Sequence, residues 1–187
     1  MKKDTDLPRY RRPAYVTALC SLIAALGTAA MLASGLIPVL TYCSPMAAGL
    51  LLIPVLREYG DGRAWMTWAV TAALSLILCA DKEAAFFYLF TGYYPILRGH
   101  MDRIAVRWLR FGAKLLFFAL ALGGMYALLI FVLRLDGVVS EFASAGLWLN
   151  LGLYLALTAV MMVYDRAIRG IEALYLIRLR PRLRLPK

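Results

Sequence analysis

The chain has 187 residues, of which 63% are hydrophobic, and carries a formal charge of +10. A soluble globule rarely exceeds about half apolar residues, so this composition excludes that class and defines a polytopic membrane protein. Its basic residues flank apolar runs, as membrane orientation requires, so the charge points to a lipid bilayer rather than to nucleic acid.

Residues 1–13 form a basic tail with Lys2, Lys3, Arg9, Arg11 and Arg12. The apolar run at 14–40, broken near its end by Pro38, far exceeds the roughly 7–15 residues of a signal-peptide core. It reads as an uncleaved first helix. On it, Ser21, Ala25, Ala29 and Ala33 recur every four residues, and small residues at that spacing let another helix backbone approach closely. That face serves either packing within the bundle or docking of a separate membrane subunit.

A polar turn at 41–45 leads into a second segment, strictly apolar only over 46–56, and REYGDGR at 57–63 makes the next turn. Residues 64–80 give a third helix. Asp81-Lys82-Glu83 then precedes the aromatic run AAFFYLFTGYYPIL at 84–97. That fourth segment covers about 21 Å, short of the ~30 Å hydrocarbon core, so its ends reach the polar margin or line an enclosed cavity. Glu83, Phe87 and Thr91 share one face by their spacing of four, with Tyr88 and Tyr94 beside it.

The basic stretch after Leu97 has a helical pattern. Arg103, Arg107, Arg110 and Lys114 fall on one face, and Ile104, Trp108, Phe111 and Leu115 on the other. This predicts an amphipathic interfacial helix near 100–113 that runs into the next span, or simply a basic loop. Residues 115–133 are the fifth span, 142–164 the sixth, with Trp148 and Asn150 in its outer third. An amide there seeks a hydrogen-bond partner on another helix or a ligand. A second basic tail, 165–187, ends in RLRPRLRLPK, where Pro181 and Pro186 oppose helix and the charges favour anionic lipid.

Six spans put both tails on one side. That side then holds 19 Lys and Arg, the other only Lys82 and Arg134, which predicts both termini inside. The expected fold is therefore an all-α polytopic bundle: a tail at 1–13, a six-helix membrane domain at 14–164, and a tail at 165–187. The threat to this count is a re-entrant second or fourth helix.

Polar residues at membrane depth are functional candidates. The outer ends gather Tyr42, Ser44, Asp81, Glu83, Phe87, Tyr88, Thr91, Trp148 and Asn150, a set suited to a small apolar-walled pocket with few polar contacts. The competing reading is an exposed polar turn in which Lys82 pairs weakly with Asp81 or Glu83. Cys20, Cys43 and Cys79 have no metal-ligand spacing. Cys43 and Cys79 both fall near the outer face, where an oxidising compartment would allow them to pair. The lone His100 reads as a solvated loop residue. No HExxH or GxSxG pattern and no outer histidine base supports an enzyme, and no cofactor or metal is expected. Without a GxxxxGK[ST] loop, any ATP hydrolysis must come from partners.

In size, six spans with both ends inside, an Ala-rich first helix (Ala25, Ala29, Ala33) and a polar outer mouth, the chain resembles the substrate-binding membrane subunits (S components) of energy-coupling-factor transporters. The resemblance implies a bacterial plasma-membrane protein that captures a vitamin-like small-molecule solute or a metal ion from outside. It further implies docking through Ser21, Ala25, Ala29 and Ala33 onto a coupling subunit driven by ATPases. No His-rich amino terminus marks a metal-uptake member. The alternative is a non-transport membrane scaffold, similar in organisation to rod-shape-determining membrane subunits, in which Glu83 is structural.

Overall fold

The computed structural model describes residues 13–37, 40–132 and 136–179, and these are predominantly helical with no strand among them. The helices are α1 (Pro13–Leu32), α2 (Leu40–Leu50), α3 (Leu52–Tyr59), α4 (Asp61–Leu78), α5 (Lys82–Thr91), α6 (Tyr94–Met101), α7 (Arg107–Ala127) and α8 (Asp136–Leu174). The basic residues of 1–12, Pro38, Arg134 and the final RPRLRLPK lie outside the described residues.

Proline chemistry sets the internal breaks. Pro54 has no N–H to give the Leu50 carbonyl, and the helix from Leu40 to Tyr59 is interrupted at Leu51. Pro95 likewise has no N–H for the Thr91 carbonyl. The segment predicted as one helix over 84–97 is therefore two, α5 and α6, joined at Gly92-Tyr93 with Pro95 in the first turn of α6. Ile96 N–H donates to the Tyr93 carbonyl at 3.0 Å, which restarts the ladder one residue late.

Four helical stretches are long and apolar enough to cross a membrane: Pro13–Gly35, Leu40–Tyr59, Arg107–Ile130 and Trp148–Arg178. The sequence predicts six. Of the other two predicted spans, α4 opens with Asp61 and Arg63 in its first turn, and the fourth is divided at Gly92. The sixth also differs. Helix α8 is kinked at Gly146, whose φ of 71° only glycine adopts without strain. It continues well past Tyr164, so 165–174 is helix rather than tail.

No helix covers 100–113: α6 ends at Met101, residues 102–106 are non-helical, and α7 begins at Arg107. The reason lies in Arg98, Asp102 and Lys114, whose mutual pairing folds this stretch back on itself. Arg98 holds Asp102 at 3.2 Å and Lys114 holds it at 2.7 Å. Trp108 is 86% exposed and Phe111 is exposed, as are Arg103 and Arg107 of the predicted basic face, whereas Lys114 is buried.

Helix α5 sits innermost. Ala84, Ala85, Phe87, Tyr88 and Thr91 are buried and the other half of the helix, Lys82, Glu83, Phe86, Leu89 and Phe90, is half-buried, so none of α5 is fully exposed. The main core joins Phe87, Tyr94, Phe118, Leu122, Met125, Met161 and Tyr164. A second cluster joins Met31, Ala48, Ala72, Cys79, Ala84, Ala85 and Tyr88. Cys79 is thus a buried thiol, Cys43 an exposed one, and the two are unpaired.

Close backbone approach is needed at Gly49. A Cβ there would stand 2.6 Å from the Tyr164 hydroxyl, which donates to the Met46 carbonyl at 3.1 Å, and 3.4 Å from the Gly92 oxygen. Gly49→Ala should therefore destabilise by about 1–3 kcal/mol, measured by unfolding in detergent. Adding Tyr164→Phe should recover part of the loss, because the colliding atom is gone.

Candidate functional site

Two polar clusters stand at opposite ends of the main apolar core. They are separated along α7 by the twelve residues from Lys114 to Tyr126, about 18 Å.

The first cluster is built at the start of α5. Asp81 is its N-cap: one carboxylate oxygen accepts the Ala84 N–H at 3.1 Å and the other accepts the Thr41 hydroxyl at 2.8 Å. Lys82 does not pair with either neighbour but donates to the Leu76 carbonyl at 2.9 Å, closing the end of α4. Glu83 points inward. Its Oε1 accepts the Tyr42 hydroxyl at 2.6 Å and the Tyr126 hydroxyl at 3.0 Å, and the two phenols lie 3.0 Å apart. One carboxylate thus ties α2, α5 and α7 together. Phe87 packs edge-on against Tyr42 at 5.4 Å between centroids. Among the described residues, no lysine or arginine forms an ion pair with Glu83. Among the described residues, the side chains that meet this half-buried carboxylate are the two phenols.

The sequence-predicted site residues divide accordingly. Tyr42, Asp81, Glu83 and Phe87 come together at this end. Thr91 is buried eight residues further along the chain and donates to the Phe87 carbonyl at 2.6 Å. Tyr88 belongs to the second apolar cluster, and Ser44 is buried on α2. Trp148 is 84% exposed and Asn150 half-buried on α8, beyond the Gly146 kink. On α1, Ser21, Ala25 and Ala29 are exposed, while Ala24, Gly27, Thr28 and Met31 face the bundle; Ala33, half-buried, lies in the 3-10 turn that follows α1. The reading of the AxxxA face as internal packing is therefore not what the bundle uses. Tyr126 was missed, although it is the only polar side chain in the predicted span 115–133. That was the available signal.

The second cluster was missed entirely. Asp165 on α8 accepts the Tyr94 hydroxyl at 2.6 Å and Lys114 at 2.9 and 3.1 Å, and it meets Arg169 at 3.3 Å. Arg98 Nε stands 3.3 Å from Asp165 without the alignment of a hydrogen bond. The Arg98 guanidinium also holds Glu172 at 3.0 Å, and Glu172 pairs with Arg57. Arg98, Lys114 and Asp165 are all buried. The network fastens α3, α6, α7 and α8 at the basic end. By contrast His100 is exposed, 3.6 Å from an equally exposed Asp61, where a link contributes little.

The molecule is thus an all-helical protein with helices fit to cross a membrane, closed at one end by a carboxylate–phenol cluster and at the other by a buried ion network. Comparison with protein-family models, curated proteins and solved structures finds no match.

Proposed function

We propose that the chain is an energy-coupling-factor-type substrate-binding membrane subunit, which captures a small solute at its carboxylate–phenol end. The observation that carries this reading is Glu83: a half-buried carboxylate on α5, held by Tyr42 and Tyr126 and, among the described residues, in no ion pair with a lysine or arginine. An intramembrane ionisable group is a functional candidate by default. In this reading α4 and the interrupted α5–α6 pair complete six crossings, and the 19-to-2 split of Lys and Arg places both termini in the cytoplasm.

The exposed Ser21, Ala25 and Ala29 stripe of α1 then docks a coupling subunit, with ATPases behind it. The test separates docking from folding. Ala25→Leu combined with Ala29→Leu should insert normally and lose its co-purifying membrane partner at least tenfold, read by quantitative mass spectrometry of pull-downs. An unchanged partner set would overturn the docking assignment.

A further inference from the structure

Charge is sorted at the basic end of the bundle. Among the described residues, each carboxylate there has a partner within the chain. Asp165 and Asp102 hold Lys114 and Arg98, and Glu172 holds Arg98 and Arg57. Glu58 accepts the Tyr175 hydroxyl at 3.3 Å, and Asp61 stands 3.6 Å from His100. With the acids so engaged, Arg103 and Arg107 are exposed and, among the described residues, form no ion pair.

Both arginines stand on a braced turn. The Asp102 carboxylate is gripped by Arg98 and Lys114, and Arg110 donates to its backbone carbonyl at 3.4 Å. Arg103 follows directly, and Arg107 opens α7, to which Val106 gives no side-chain cap. The positive end of the helix dipole therefore adds to the two guanidinium charges. What lies beside them is apolar. Val106, Trp108, Leu109 and Phe111 are between 55% and 86% exposed, and the exposed face of α7 continues through Leu115, Leu116 and Leu120. Charged, then aromatic, then aliphatic is the order in which a bilayer leaflet passes from headgroup to acyl chain. A soluble anion or a nucleic acid would gain nothing from the leucines.

We propose that the start of α7 is a docking surface for anionic phospholipid, with headgroup phosphates against Arg103 and Arg107 and acyl chains along Phe111, Leu115 and Leu116. Trp108 lies at the boundary between the two layers. Guanidinium suits phosphate by its planar fork of donors, and net charge selects the lipid, because the choline of a zwitterionic headgroup cancels its phosphate. The proposal stands independently of the transport reading.

The test places the full chain in phosphatidylcholine vesicles that carry a minor fraction of lipid brominated high on its acyl chains, which quenches tryptophan on contact. The emission lost in Trp108→Phe defines the contribution of Trp108. Brominated phosphatidylglycerol should quench that contribution about twofold to fivefold more strongly than brominated phosphatidylcholine at the same fraction. The excess should vanish at about 1 M salt, where the Debye length is ~3 Å. It should vanish equally in Arg103→Gln combined with Arg107→Gln, a variant expected to melt as wild type because neither arginine forms an ion pair among the described residues. The salt series on the wild-type chain keeps the test intact should that variant fail to fold. Equal quenching by the two lipids overturns the proposal. So does an excess that survives in the double variant, which would assign it to the basic tails, and so does a Trp108 that neither lipid quenches, as under a protein partner.

Discussion

Asp165→Asn is expected to destabilise the bundle by about 3–5 kcal/mol, the range for removing one partner of a buried ion pair. The carboxylate is 6% exposed and receives a buried lysine, a tyrosine and two arginines. Asparagine can still accept from Tyr94, so what is lost is the charge that compensates Lys114 and Arg98. Asp102 offsets part of this, at 2.7 and 3.2 Å from the same two cations. Lys114→Met alone should be damaging too, since it strips Asp165 of its two closest cationic contacts. The double variant should be milder than the sum of the singles, with a coupling energy of about 1–3 kcal/mol, because it leaves fewer orphaned charges. Unfolding by denaturant in a fixed detergent measures all three. A loss below about 1 kcal/mol for Asp165→Asn would show that water reaches the network. Arg169→Gln provides the internal contrast. Its side chain is 56% exposed, and its removal should change stability by about 0.5 kcal/mol or less.

Under the solute-capture proposal, Glu83→Gln should lower retention of the solute about tenfold to a hundredfold, while leaving insertion and melting nearly unchanged. The amide oxygen can still accept from Tyr42 and Tyr126, so the tie between α2, α5 and α7 survives. What disappears is the negative charge of Glu83, while the Asp81 carboxylate stays committed to Thr41 and the Ala84 N–H. A hydrogen bond to a charged group contributes about 1.5–3 kcal/mol, which converts to that range of affinity. Tyr126→Phe should cost less solute binding, since Tyr42 remains at 2.6 Å. Mass spectrometry of the solute that co-purifies with each variant supplies the measurement. Retention equal to wild type in Glu83→Gln would make Glu83 a structural residue, as a scaffold requires.

Legibility followed the apolar pattern closely and the polar pairing poorly. The long runs of α1 and α7 announced themselves, and so did the inward face of α5, because Glu83, Phe87 and Thr91 sit one turn apart. Pro54 and Pro95 were visible as well, but how far each interrupts a helix depends on which carbonyls the neighbours can satisfy. The basic end was misjudged for a physical reason. Charge density after Tyr164 suggested a basic tail drawn to anionic lipid, yet the buried face continues through Met161, Tyr164, Ile168 and Tyr175 at helical spacing. Asp165 and Glu172 lie on that face, seven residues apart. Pairing such acids with Arg98 and Lys114, 67 and 51 positions from Asp165, is tertiary information that local spacing does not carry. Tyr126 illustrates the same limit. A phenol in an apolar helix is easily read as packing until the carboxylate opposite it is placed.

The most direct test of the central claim is a tagged pull-down of the wild-type chain from detergent-solubilised membranes, with mass spectrometry of both proteins and small molecules. A solute-capture subunit predicts recovery of a multi-span coupling subunit, an ATPase pair and a bound small molecule. Recovery of cell-envelope proteins, with neither ATPase nor solute, would contradict it and establish the scaffold.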